Sequence, residues 1–240
     1  MKSKSVIAPG DGTFRIEETI IHPPQGDEVL VKVKAAAICH TDYDSLNWGM
    51  PIVMGHEGAG IVEAIGETVT KVAVGDEVIL NWATPSYNDF QCQLGNQNID
   101  ERNSPVLASH AGRISEGHPT FESTTLKDKP IERSFNLGTF SEYALVKSSG
   151  VVKKNSKKLS FEGASTISCA VMTGCGSVFN TAKPEWGSSI VVLGTGGVGL
   201  NVVQAARISG ATKIIGIDVN PTRLEMAKKF GATDVILADR

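Results

Sequence analysis

The apolar run Ser189-Ile190-Val191-Val192-Leu193 passes directly into Gly194-Thr195-Gly196-Gly197-Val198-Gly199, and no other segment constrains the fold of this chain as tightly. A continuous apolar run of that length reads as a parallel strand buried on both faces. The spacing predicts an amphipathic helix from Val198 to Ser209 and a second strand, Lys213-Ile214-Ile215-Gly216-Ile217-Asp218. Glycine supplies 25 of the 240 residues, so a glycine-rich hexapeptide alone would be a weak signal. Here it follows a strand and opens a helix, the context in which such a turn cradles a dinucleotide pyrophosphate. Gly194 permits the tight turn, Gly196 lets backbone approach the pyrophosphate, and Gly199 lets helix and strand pack closely, with Gly197 and Val198 completing the turn. Asp218, ending the second strand, is placed to accept the adenosine ribose hydroxyls. Its charge would repel a 2′-phosphate, so NAD is expected rather than NADP.

Around this unit the chain has two characters. After about residue 155 the pattern is helix and buried strand. Ser160-Phe161-Glu162-Gly163-Ala164 opens a helix expected to run, with breaks, through Ser168 to Thr181. A further helix over Pro221–Phe230 starts with Asn220 at the N-cap and Pro221 in its first position. Asp234-Val235-Ile236-Leu237-Ala238 reads as a third strand. A complete doubly wound domain needs about six strands, so the chain is expected to hold its first half. Before residue 155 the pattern is short β-branched runs broken by glycine or proline. In Val29-Leu30-Val31-Lys32-Val33-Lys34-Ala35, valines alternate onto one face. Gly60–Gly66, Asp76–Trp82 and Thr139–Val146 are further strands, and Pro85 to Ser134 is a long excursion with weak periodicity. The expected architecture is a small, mostly antiparallel β domain over 1–155 and the first half of a dinucleotide-binding α/β domain over 156–240.

Bulk properties exclude several classes. A formal charge of −3 provides no electrostatic reason for nucleic acid or an anionic membrane as partner. No apolar run approaches the roughly 18 residues of a membrane span, and the first residues lack the apolar stretch of a signal peptide. Four cysteines, Cys39, Cys92, Cys169 and Cys175, read as thiols or ligands rather than a disulfide framework, and a cytoplasmic location is the expectation.

Two of those thiols have chemistry around them. Cys39 lies in Ile38-Cys39-His40-Thr41-Asp42 and His56 in Met54-Gly55-His56-Glu57-Gly58. Thiolate and imidazole are the ligands zinc prefers, and catalytic zinc keeps three protein ligands with one position open. Cys169 offers a third soft ligand. Asp42 and Glu57 are at hand to orient an imidazole, and Thr41 supplies a hydroxyl suited to relaying a proton. A Lewis acid, a local hydroxyl and an open position suit alcohol oxidation.

The segments Cys39-His40-Thr41-Asp42, Gly55-His56-Glu57-Gly58-Ala59-Gly60-Ile61-Val62-Glu63, Val74-Gly75-Asp76-Glu77-Val78 and Ser168-Cys169-Ala170-Val171-Met172-Thr173-Gly174, with the turn Gly194 to Gly199, resemble the zinc-containing medium-chain alcohol dehydrogenases. The resemblance runs from about residue 5 to the end of the chain. It implies a GroES-like catalytic domain joined to a Rossmann domain, with catalytic zinc on Cys39, His56 and Cys169. It further implies that Glu57 can approach the metal and Asp42 orients His56. By the same matching His40 contacts the cofactor pyrophosphate, Thr173 faces the nicotinamide, Arg223 lies near the adenosine ribose, and Trp82 lines the substrate pocket. The long excursion and Phe140, taken as a second pocket residue, resemble the longer-looped members, which include aryl-alcohol and glutathione-dependent formaldehyde dehydrogenases.

Two positions depart from the family pattern. Where many members carry four cysteines around a structural zinc, this chain has Ser86, Asp89, Cys92 and Asp100. One thiolate in four makes a poor zinc cage, so one catalytic zinc and no structural zinc are expected. Asp44 stands where many members end a proton relay with histidine. Cys175, His22, His110 and His118 are expected to be outside the chemistry, and Lys153-Lys154-Asn155-Ser156-Lys157-Lys158 to be a charged linker.

The expected activity is reversible hydride transfer between NAD and a primary or aromatic alcohol or aldehyde, in a full-length homodimer or homotetramer. One alternative is an S-(hydroxymethyl)glutathione-type dehydrogenase, with Arg102, Arg113 or Arg133 meeting the adduct's carboxylates. Another is a zinc-binding fragment without catalytic activity.

Overall fold

The computed structural model describes residues 1–100 and 124–239. His110, His118, Arg102 and Arg113 lie outside the described residues. The chain divides into two compact units, Met1–Ser168 and Cys169–Arg240.

The first unit is built on two β-sheets. Its elements up to the excursion are β1 (Lys2–Ala8), β2 (Arg15–Ile21), β3 (Glu28–Ala36), helix α1 (His40–Ser45), β4 (Ile52–Val53), β5 (Gly58–Ile65), β6 (Glu77–Leu80) and the short helix α2 (Phe90–Gln93). After it come β7 (Thr124–Leu126), β8 (Lys129–Pro130), β9 (Glu132–Arg133), β10 (Tyr143–Lys147), β11 (Val151–Lys153) and helix α3 (Phe161–Thr166). One sheet runs β8-β7-β2-β1-β4-β9 and the other β10-β3-β5-β6-β11. Every pairing is antiparallel except β4 with β9. The alternation in β3 holds: Val29 and Val31 are fully buried and pack with Val62, Val78, Leu80, Leu137 and Val146, while Lys32 and Lys34 face solvent. Burying such aliphatic side chains stabilises by roughly 1.5–3 kcal/mol each, and that core holds the β3–β5 pair from which the site residues project.

The lysine cluster is absorbed locally. Lys153 pairs with Asp76 at 2.7 Å and Lys154 with Glu77 at 2.5 Å, and Lys154 also lies 5.4 Å over the Phe161 ring.

The second unit holds α4 (Met172–Gly176), β12 (Ser189–Leu193), α5 (Gly197–Ile208), β13 (Lys213–Asp218), α6 (Pro221–Phe230) and β14 (Asp234–Leu237). Cys169 lies in a π-helical turn, Ile167–Val171, so the expected breaks between Ser160 and Thr181 occur as π-turns. The three strands are parallel in the order β12-β13-β14. Asn220 caps α6 as its sequence predicts, its side chain accepting from Thr222 N at 2.9 Å. Both α5 and α6 pack on one face of the sheet, burying Val192, Val203, Ile214 and Ala227 together. The face of β12 toward these helices is buried as expected, while Val191 and Leu193, on the other face, are 54% and 79% exposed among the residues of this chain. Alternation along the strand sends these two side chains away from the helices, and no element of this unit packs over them.

Candidate active site

In the first unit the site starts from a local capping arrangement. Cys39 is the N-cap of α1, and Asp42, at the third helical position, accepts the Cys39 N–H on Oδ2 at 2.9 Å. The other carboxylate oxygen, Oδ1, is 3.0 Å from Nδ1 of His56. Both side chains are almost completely buried, 3% and 2% exposed. An imidazole Nδ1–H donating to a carboxylate leaves Nε2 as the lone-pair nitrogen.

His56 arrives there because Gly55 adopts a left-handed backbone, φ 91°, against the chain at Thr139 and Phe140. A Cβ at Gly55 would lie 2.5 Å from the Phe140 ring. Backbone bonds from Thr139 to Gly55 and from Phe140 to Met54, both 2.9 Å, fix that approach. Thr139 also donates its hydroxyl to the Glu57 carbonyl at 3.0 Å, and the Ser168 hydroxyl meets the Gly58 backbone at 3.2 Å. The ligand atoms of Cys39, His56 and Glu57 lie within 4.8 Å of one another, with His56 and Glu57 buried. The Cys39 thiol is 3.7 Å from the Thr41 hydroxyl. His40 and Asp44 are exposed, 3.8 Å apart.

An aromatic cluster extends from His56 through Phe135. Phe135 is 4.9 Å from the imidazole centroid, Trp82 stands edge-on to Phe135 at 5.3 Å, and Trp48 is 6.1 Å from Phe135. Trp82 is thus one ring away from His56. Phe140 packs instead with Ala8, Ile52 and Met54 behind Gly55. Phe135 and Trp48 were not found from sequence, because neither lies in a periodic segment. The one available signal was an aromatic beside glycine or asparagine, in Asn47-Trp48-Gly49 and Phe135-Asn136.

At the excursion, Asp100 is 2% exposed and accepts from Ser86 N and Oγ, both at 2.6 Å, and from the Cys92 thiol at 3.1 Å. Asp89 caps α2 by accepting from Cys92 N at 2.7 Å. Burial first, then the hydrogen bond to Asp100, push the Cys92 thiol up to about 11. The four positions that depart from a cysteine cage are therefore gathered around a carboxylate.

In the second unit, Gly194 is left-handed, φ 83°, and a Cβ at Gly199 would collide with the Gly194 carbonyl. A Cβ at Gly196, the N-cap of α5, would meet nothing within 4 Å. Asp218 accepts from Thr195 N at 2.7 Å, Thr195 Oγ1 at 3.2 Å and Asn220 N at 2.9 Å, and Arg223 approaches it at 3.9 Å. Led by the Thr195 amide, these bonds hold its carboxyl below the usual range. Gly197 and Val198 are exposed on the turn. Thr173 is exposed one helical turn from Cys169, their side chains 3.8 Å apart. Among the described residues, Asp89, Cys92 and Asp100 form a second group whose ligand atoms lie within 4.8 Å of one another, and Cys175 belongs to neither group.

A two-sheet β unit followed by three parallel strands with a glycine turn defines a GroES-like domain and the start of a Rossmann-like domain. Residues 25–156 match the model of the alcohol dehydrogenase GroES-like domain, and residues 197–240 that of zinc-binding dehydrogenases. The chain belongs to this alcohol dehydrogenase family. It is 39% identical to an S-(hydroxymethyl)glutathione dehydrogenase of Photobacterium damsela subsp. piscicida, covering 98% of the chain and 64% of the relative. It is 36% identical to alcohol dehydrogenase 2 of Oryza sativa subsp. japonica, covering 98% and 62%. Among solved structures, the benzyl alcohol dehydrogenase of Acinetobacter calcoaceticus superposes with a TM-score of 0.85 at 34% identity, covering 98% of the chain and 64% of that protein. The chain spans just under two thirds of the length of the curated relatives it matches.

Proposed function

We propose that the chain carries the catalytic and NAD-anchoring parts of a zinc-dependent alcohol dehydrogenase, with residues 1–155 as the catalytic domain and 156–240 as the beginning of the NAD-binding domain. The observation that carries this reading is the buried Asp42–His56 pair beside the Cys39 thiol. That donor set fits zinc: a soft sulfur, an imidazole with its second nitrogen on a carboxylate, and a buried acid nearby.

Cys39, His56 and Cys169 would hold the metal, Cys169 following directly on Ser168, whose hydroxyl sits against Gly58. Bound there, zinc supplies a Lewis acid that lowers the pKa of an alcohol, and NAD accepts the hydride. Asp42 keeps the proton on Nδ1 of His56 and aims Nε2. Glu57 is a reserve carboxylate beside the ligands. Thr41 takes the substrate's hydroxyl proton on its Oγ1 and passes it outward, where exposed Asp44 and His40 meet solvent. Trp82, Phe135 and Trp48 exclude water and form an apolar wall for a primary or aromatic alcohol. Phe140 supports that wall from behind Gly55.

In the second unit, Gly194, Gly196, Gly197, Val198 and Gly199 form the pyrophosphate cradle, aided by His40. Thr173 meets the nicotinamide. Asp218 and Arg223 define the ribose end, and the carboxylate favours NAD. One zinc per chain is part of the proposal, because Ser86, Asp89, Cys92 and Asp100 offer a single thiol where a zinc cage needs several, and that thiol donates to Asp100. So are a cytoplasmic location and a homodimer or homotetramer for the whole protein. Titrating NADH and NADPH while following nicotinamide fluorescence tests the reading. Binding of NADH in clear preference supports it; binding of neither would favour a zinc-binding fragment, and a preference for NADPH would overturn the role of Asp218.

An S-(hydroxymethyl)glutathione substrate is the second reading, favoured by Arg133. Arg133 is 6% exposed, its terminal nitrogens have no hydrogen-bond partner among the described residues, and burial draws its pKa down to about 10 against the pull of Glu28 and Glu132. A buried cation with donors to spare is suited to a carboxylate. Comparing turnover of benzyl alcohol with that of formaldehyde plus glutathione separates the two.

A further inference from the structure

Phe135 is held in a backbone conformation that a bulky side chain avoids. Its φ is 51°, Asn136 follows at 59° and Gly138 at 64°. For a residue with a Cβ the left-handed region costs roughly 1–2 kcal/mol, and such outliers persist only where surroundings over-determine them. Here the surroundings are visible. Leu137, 1% exposed, anchors the turn in the core beside Val29 and Val31. The Ser134 carbonyl accepts from Leu137 N at 3.0 Å and Gly138 N at 3.2 Å, closing the turn around Phe135. With these neighbours fixed, the left-handed φ presents the Phe135 ring to His56 at 4.9 Å, tilted by 42°.

The bond from Nδ1 to Asp42 sets the direction of one ring nitrogen. The Phe135 ring bears on the imidazole itself, so its position acts on the plane of the ring and not only on one of its atoms. Trp82, edge-on to Phe135 at 5.3 Å with an interplanar angle of 77°, and Trp48 at 6.1 Å hold the Phe135 ring in turn. Among the described residues the buried Trp82 indole nitrogen has no hydrogen-bond partner, and what that side chain brings to Phe135 is packing.

We propose that Phe135 is a positioning residue: its strained backbone sets an aromatic clamp that, with Asp42, fixes the plane of His56 and so the direction of its Nε2. The proposal rests on the reading of His56 as a metal ligand.

Four forms of the protein test it: wild type, Phe135→Leu, Phe135→Tyr and Phe135→Gly. Zinc affinity is measured by chelator competition, cobalt(II) geometry from its visible spectrum, His56 ring mobility by NMR relaxation on metal-free protein, and stability by thermal melting. Phe135→Leu is expected to weaken zinc binding about tenfold, the equivalent of one aromatic contact. It should also change the cobalt spectrum and loosen the imidazole in metal-free protein. Phe135→Tyr should restore all three. Phe135→Gly should lose affinity likewise but keep its melting temperature better than Phe135→Leu, because glycine relieves the backbone strain. A merely structural Phe135 would show the opposite, a lower melting temperature with metal binding unchanged, and would overturn the proposal. If wild type takes up neither zinc nor cobalt, the ligand reading of His56 fails. The clamp is then judged on the metal-free protein, where equal imidazole mobility in wild type and Phe135→Leu would overturn it.

Discussion

Asp42 and His56 are joined by a buried hydrogen bond, 3.0 Å between Oδ1 and Nδ1, and the same carboxylate also takes the Cys39 amide at 2.9 Å. One acid therefore ties together the helix cap that presents the thiol and the imidazole that faces it. Removing its charge should disturb both proposed ligands at once. Asp42→Asn is expected to lower zinc affinity about 10–100-fold, the usual effect of losing an outer carboxylate. Asp42→Ala should in addition destabilise the first unit by about 1–3 kcal/mol, since it leaves buried donors unpaired. Chelator competition and urea melts check the two effects, and unchanged zinc affinity in both variants would refute the orienting role.

The excursion should be independent of metal. Metal analysis of purified protein is expected to return one zinc per chain. Asp100→Asn should lower the melting temperature without changing that ratio. A ratio of two, or zinc loss in Asp100→Asn, would show that Asp89, Cys92 and Asp100 hold an ion.

Cys92 should be chemically quiet. With its thiol pushed up to about 11, the thiolate fraction at pH 8 is very small, and the thiolate is the reactive form. Alkylation at pH 8, followed by peptide mapping, is expected to label Cys92 more slowly in wild type than in Asp100→Asn, where the hydrogen bond raising the pKa is lost.

Asp218 predicts an acid limb in the stability of the second unit. Its folded-state pKa is depressed, chiefly by the Thr195 amide, so its contribution is fully present above the unfolded value near 3.9 and is lost as the pH falls through the lower folded value. Exchange of the Thr195 amide proton should show protection that declines in that range. Asp218→Asn should lose protection already at neutral pH and show a flatter acid limb. Equal protection in both proteins would remove the basis of this account.

The glycines of the turn should separate folding from binding. Gly199→Ala drives a methyl into the Gly194 carbonyl and is expected to cost about 1–3 kcal/mol of stability. Gly196→Ala meets nothing in the protein, so it should melt like wild type yet bind NADH more weakly, because its methyl would stand where the pyrophosphate approaches. Thermal melts with NADH titration on both variants decide the matter.

Much of this was legible because it is local. The strand Lys213–Asp218 and the helix Pro221–Phe230 were read with the boundaries the structure has, since Asn220 and Pro221 mark a helix start by hydrogen bonds within a few residues. For β12 the apolar run records what a strand can bury, not which neighbours cover it: α5 and α6 cover one face, and Val191 and Leu193 are exposed on the other. Phe135 escaped for a related reason. No propensity predicts phenylalanine at φ 51°, and its conformation is imposed by Leu137 in the core and by Trp82 and Trp48, side chains far away in sequence.

By itself, then, the sequence determined the periods, caps and turns of the chain, the identity of the thiol, imidazole and carboxylates, and the glycine turn that ends in Asp218. Those follow from interactions within a few residues, where the order of side chains leaves little choice. Only the tertiary structure decided that Asp42 reaches both Cys39 and His56, that Asp100 gathers Ser86 and Cys92, and that the tilted ring of Phe135 lies against the imidazole. Each of these depends on packing between distant segments, where the free energy of many weak contacts outweighs the preference of any one residue.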